Sequence, residues 1–221
     1  MPSFSTIVLM IHIAAGAIAL LVAPVAMIVK KGGKRHSFWG LIFFWAMTVI
    51  FGTALYLSTV KWIPFLLMIA VFSYYSVLSA YRWKFLKGLH DQSQKPLWFD
   101  WIALIVNGLI NAVFIIWGGY LLIKGLGGAL PYLALGFGFI GIRISTKNLK
   151  LFRNTHHPKT WLFEHLSGMV GGFIATVTAF SAQVMSFMPT FLQWSWPTLV
   201  GAPLIAYWLS TYRKKYKVEA I

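Results

Sequence analysis

The sequence predicts an all-α polytopic membrane protein, one transmembrane domain over residues 1–221 built as a bundle of about seven helices. Three observations predict it. Hydrophobic residues make up 59% of the chain and charged residues 10%, against roughly 45–50% and about 25% in soluble domains. A soluble fold of this size would lack the charges to cover its exterior. Apolar runs of about 20 residues, enough to cross a hydrocarbon core of about 30 Å, recur along the chain. Basic residues sit in the short breaks between those runs, and almost all of them in alternate breaks.

The first span runs from about Ser5 to Val29 and ends at Lys31-Gly32-Gly33-Lys34, where glycine and charge together stop an apolar helix. The second covers about Ser37 to Thr59, the third Trp62 to Trp83 and the fourth Leu97 to Ile123. Gly125-Leu126-Gly127-Gly128 separates the fourth from a fifth over Leu130 to Thr146, where Gly136, Gly138 and Gly141 lower helix propensity and suit close helix packing. Pro158 precedes the sixth, about Thr160 to Met188, and Pro189 follows it. The last runs from Gln193 to Tyr212. The N-terminus has no basic n-region, and its apolar run is long enough to span, so it reads as a helix and not as a cleavable signal.

Orientation follows from lysine and arginine. Lys30, Lys31, Lys34 and Arg35 fall in the first loop, and Arg82, Lys84, Lys87 and Lys95 in the third. Arg143, Lys147, Lys150, Arg153 and Lys159 fall around the fifth, and Arg213, Lys214, Lys215 and Lys217 in the tail. Only Lys61 and Lys124 of the 19 lie on the other side. The positive-inside rule places the N-terminus outside and the C-terminus in the cytoplasm, as expected of an inner-membrane protein. Trp62, Trp98, Trp101, Trp117, Trp161, Trp194 and Trp196 lie near span ends, as an aromatic belt requires.

The net charge of +15 is therefore a loop signature. A nucleic-acid-binding domain gathers its bases on one folded face, and these are dispersed among spans, so no nucleic-acid partner is expected. The expected partners are the bilayer, anionic lipid headgroups at the basic loops, and a second copy or another membrane subunit. With no cysteine, disulfides, iron–sulfur ligation, thiolate metal sites and covalent haem attachment are excluded.

Ionisable groups within a span are costly and mark function by default. Asp91 and Asp100 fall at or near the third loop and Glu219 in the tail, which leaves Glu164 as the acid within the bilayer. Arg143 shares its depth, so an Arg143–Glu164 ion pair is expected, as a structural clamp or a relay. His12 lies on the order of 10 Å below the outer surface at 1.5 Å per residue. His36 and His165 lie at the opposite face, close enough in depth to meet as two axial or metal ligands. Each of the three histidines has a glycine one turn on (Gly16, Gly40, Gly168) that makes room on one helix face. That room suits a flat ligand such as haem b, or a tightly packed helix. His12 is too distant to join the pair, and Met185 is the other ligand type at its depth. The ordinary alternative is hydrogen bonding of each imidazole to backbone or a neighbour. His156 and His157 read as solvated loop residues. Asn107 and Asn111, one turn apart in mid-span, must face other helices or a cavity.

A retinal protein needs a lysine in its last span, and Leu199 to Ser210 has none. Seven-helix zinc hydrolases need an intramembrane aspartate, and no Walker, Rossmann or serine-hydrolase motif is present.

Ile11-His12-Ile13-Ala14-Ala15-Gly16, Pro24, Lys31-Gly32-Gly33-Lys34-Arg35-His36 and Gly40 together resemble bacterial multi-span proteins of domain of unknown function 2306. Phe163-Glu164-His165 through Gly168, Gly171, Ala175 and Thr178-Ala179-Phe180, with Pro197 to Tyr207, is similar to segments of related Bacteroidetes membrane proteins. The resemblance covers about half the chain. It implies a fold, and motif positions for His12, His36 and His165, without implying a reaction. Three functions stay open: a histidine-dependent haem or metal site serving electron transfer, a small-solute or proton-coupled transporter, and a non-catalytic accessory subunit. Whether the chain is an enzyme stays open with them.

Overall fold

The computed structural model describes residues 2–218, so Glu219 lies outside the described residues. It contains seven α-helices: α1 (Phe4–Ile28), α2 (Lys34–Val60), α3 (Pro64–Trp83), α4 (Trp98–Ile123), α5 (Leu130–Arg153), α6 (Thr160–Val184) and α7 (Thr190–Tyr216). One 3₁₀ turn, Lys87–Asp91, joins α3 to α4, and no strand occurs among the described residues. Helices α1, α2, α3, α4 and α6 are long and apolar enough to cross a membrane. The more polar α5 and α7 fall short of that standard, although α5 carries its helix seven residues past the expected Thr146. The chain is a helical membrane protein.

Local chemistry explains the ends. Ser3 caps α1 by accepting from the Thr6 N–H at 3.2 Å. Pro64 and Pro131 occupy first-turn positions of α3 and α5, where a missing N–H costs nothing. Asp100 accepts from the Leu97 N–H at 2.9 Å and so closes the start of α4. Gly127 adopts φ +84° in the α4–α5 turn, a left-handed conformation in which a side chain would be strained.

Helix α3 is the hub. It packs against α2, α4, α5 and α6, while α1–α2, α4–α5 and α6–α7 form hairpins. Glycine sets two of the closest approaches. A Cβ at Gly168 would meet the Ala80 Cβ at 2.6 Å and the Ser76 carbonyl at 2.8 Å, and one at Gly172 would enter Val77. This is small-residue packing one turn apart along α6. On α5, a Cβ at Gly138 would lie 2.7 Å from Ile115 of α4. Three apolar clusters fill the bundle. One centres on Phe43, Met47 and Val77, one on Trp83, Leu86 and Leu104, and one on Phe65, Phe114 and Ala134.

Candidate functional site

At the end of the bundle holding the α1–α2, α3–α4 and α5–α6 loops, two imidazoles meet. The rings of His36, in the first turn of α2, and His165, in the second turn of α6, have centroids 6.2 Å apart and planes 83° apart. Each is tied to a helix C-terminus. His36 Nδ1 lies 2.9 Å from the Ala26 carbonyl of α1, and His165 Nδ1 lies 3.0 Å from the Ala80 carbonyl of α3. The last carbonyls of a helix lack intrahelical partners and carry its negative dipole end, so both imidazoles act as caps. A carbonyl only accepts, so in each ring Nδ1 carries the proton and donates. In the neutral ring Nε2 keeps its lone pair.

Two lysines flank the pair. Lys31 Nζ donates to the Ala26 carbonyl at 3.4 Å and to Met27, and lies 5.9 Å from the Trp208 ring. Lys84 Nζ sits 4.4 Å from the centroid of Tyr81, which itself stacks on Phe44 at 4.1 Å. Burial lowers both ammonium groups from the usual lysine range.

Of the glycines beside the three histidines, Gly168 is filled by α3, as a packed helix requires, while Gly16 and Gly40 have no atom within 4 Å of a Cβ position. His12 stands apart: its Nδ1 pairs with Thr53 Oγ1 of α2 at 2.8 Å. Met185 accepts from Ser181 at 3.4 Å. Among the described residues no group of three histidine, aspartate or glutamate side chains is arranged to hold an ion, so any metal here would rest on the imidazole pair.

The expected Arg143–Glu164 pair is corrected. Glu164, buried on α6, pairs with Lys147 of α5, and Arg143, one turn earlier, is exposed. A one-turn error on α5 is a rise of about 5.4 Å, enough to exchange one cation for the next.

Asn107 and Asn111 are fully buried and face α5, as expected. Asn111 Nδ2 donates to Asn107 Oδ1 at 3.0 Å and to the Asn107 carbonyl at 2.8 Å, and Asn107 Nδ2 donates to Ser145 Oγ at 2.8 Å. One turn along α5, Asn148 donates to Tyr75 and Ser79, both at 2.9 Å. Nearer the helix end, Arg82 clamps Asp100 through Nε at 2.7 Å and Nη2 at 3.0 Å. A cavity of about 10 Å³, room for one water, separates Ser79 and Tyr75 from this pair. Only Asn111 Oδ1 along this seam lacks a partner.

Sequence reasoning missed Lys147, Asn148 and the Arg82–Asp100 clamp. Asp100 and Arg82 looked like loop charges. The one available signal was Asp100 three residues after Leu97, the spacing of a helix-capping carboxylate. His156, read as solvated, packs its ring 5.9 Å from Trp83, and burial lowers it from the usual histidine value of 6.5.

Comparison of the chain with protein-family models, curated proteins and solved structures gives no match.

Proposed function

We propose that the chain is a seven-span inner-membrane protein, N-terminus outside, whose His36 and His165 hold a metal centre in the cytoplasmic leaflet for electron transfer. The orientation is supported by the distribution of lysine and arginine. Kinship with domain of unknown function 2306 is part of the same reading, on the N-terminal hairpin residues.

The carrying observation is the pairing itself. Two imidazoles with Nδ1–H committed to carbonyls have the second-shell arrangement of metal-ligating histidine, in which the outer hydrogen bond fixes the tautomer and aims Nε2 at the ion. The ring centroids are 6.2 Å apart, within the span that one ion can bridge with metal–nitrogen bonds of about 2.0–2.1 Å.

The donors fit iron, copper, nickel or zinc, all of which accept imidazole nitrogen. A compact centre fits better than a broad macrocycle, because Ala80 fills the face of Gly168 and Phe43 and Val77 close on Gly172. Iron or copper held there would supply a one-electron couple, whereas zinc, which has no accessible redox change, would not. His36 and His165 hold it, the Ala26 and Ala80 carbonyls orient them, and Phe43 and Val77 keep water from the apolar side. The absorption spectrum of purified protein, oxidised and reduced, tests the reading. A metal-dependent band abolished by His36→Ala or His165→Ala supports it, and colourless, metal-free protein sinks it.

A second reading, a small-solute or proton-coupled path, is supported by the unpartnered Asn111 Oδ1 at the deep end of the α3–α4–α5 seam. Proteoliposome flux lost in Asn111→Leu would favour it; flux absent from the wild type rules it out.

A further inference from the structure

We infer that Lys31 and Lys84, at the mouth of the histidine pair, form a specific site for a phosphate anion, and that its occupant is the headgroup of an anionic phospholipid. This inference rests on the lysines and holds whether or not the imidazoles bind metal.

The cations converge. His36 and Lys31 share the Ala26 carbonyl, and His165, whose ring lies 6.2 Å from that of His36, holds the Ala80 carbonyl one turn before Lys84. The spot therefore draws on the α1–α2 turn, the end of α3 and the start of α6. Lys30, Lys34 and Arg35 lie exposed in the same turn.

The acids are elsewhere. Among the described residues, Asp100 is taken by Arg82 and Glu164 by Lys147, while Asp91 accepts from the Ser93 N–H within its own turn. What Lys31 and Lys84 meet is neutral: carbonyls for one, the Tyr81 and Phe85 rings for the other, with Trp208 beside Lys31. Lys31 is exposed and Lys84 half-buried; partial desolvation with no carboxylate beside them lowers both from their ordinary range, and an anion settling beside them would offset that cost.

Geometry favours a lipid over a soluble ion. The aromatic rings around the lysines are the residue type that sits at headgroup depth. Helix α1, which ends beside Lys31, leaves Leu21, Val25 and Ile28 exposed along its length, an apolar track for an acyl chain. A basic pocket between helices on the cytoplasmic side is the usual chemistry of headgroup capture.

The test uses full-length, delipidated protein in detergent, with native mass spectrometry for retained lipid and tryptophan fluorescence for thermal unfolding. The probes are phosphatidylglycerol, phosphatidylcholine and inorganic phosphate. Phosphatidylglycerol should be retained and stabilise the wild type. Losing two cations at about 1 kcal/mol each, K31Q/K84Q should bind it roughly thirtyfold more weakly. K214Q/K215Q, which removes the same charge from the α7 tail, should change binding less than about threefold, as expected for exposed, screened charges. If K31Q/K84Q does not fold, K31R/K84R, which keeps both charges, should retain the lipid. Stabilisation by inorganic phosphate with the same lysine dependence would support the anion site and assign a soluble occupant. Equal binding of phosphatidylcholine, equal loss in the tail variant, or loss in the arginine pair would overturn the inference.

Discussion

The side-chain amide of Asn111 on α4 lies against Gly141 of α5, in the volume that a methyl group at position 141 would fill. The missing side chain at 141 is therefore what admits a buried amide between two closely packed helices. Gly141→Ala should destabilise the protein by about 1–3 kcal/mol, the usual cost of overpacking. Gly136→Ala, with nothing within 4 Å of its Cβ position, should be neutral or stabilise by up to about 1 kcal/mol from helix propensity. Equal effects of the two in thermal unfolding would contradict the packing.

Asp100 serves two elements at once, clamping Arg82 of α3 and closing the start of α4, and its side chain is 3% exposed. Asp100→Ala should cost about 3–5 kcal/mol, because Arg82 loses its partner in a buried pair. Asp100→Asn keeps the shape and one acceptor and should cost less. A denaturant series on the two variants checks the order.

The Lys147–Glu164 pair should matter far less. Lys147 is half exposed, so removing it should cost at most about 1 kcal/mol. Arg143→Ala should cost less still, since no carboxylate meets it. A larger loss in Arg143→Ala than in Lys147→Ala, measured side by side, would restore the pair that the sequence suggested.

His156 gives a pH dependence of defined sign. Burial beside Trp83 lowers its folded-state pKa below the ordinary 6.5, so below about that pH the unfolded chain binds more protons than the folded one. Its share of stability is present above pH 6.5 and is lost as the pH falls through the folded value. The slope of melting temperature against pH between 7 and 5 should flatten in His156→Gln. An unchanged slope would place the titration elsewhere.

The helices were legible because crossing a bilayer demands long apolar runs, and glycine, proline and lysine mark their ends. The meeting of His36 and His165 was legible too, since both lie within two turns of the same end of their helices. Azimuth was not. Nothing in the sequence said that Gly168 turns toward Ala80. Depth on α5 was off by one turn: Arg143 and Lys147 share a face, and only the second meets Glu164. Asn148 escaped notice because its partners, Tyr75 and Ser79, lie about seventy positions earlier on α3. Periodicity within α5 carries no information about that pairing.

Metal binding at the histidine pair rests on the Nε2 atoms of His36 and His165. Metal content per chain, measured by elemental analysis on protein purified without chelators, tests it most directly, with the absorption spectrum taken on the same sample. One metal per wild-type chain is expected, lost in His36→Ala and in His165→Ala and retained in His12→Ala, which lies with Thr53 away from the pair. Wild-type protein that is folded, colourless and metal-free, or metal that survives both substitutions, would contradict it.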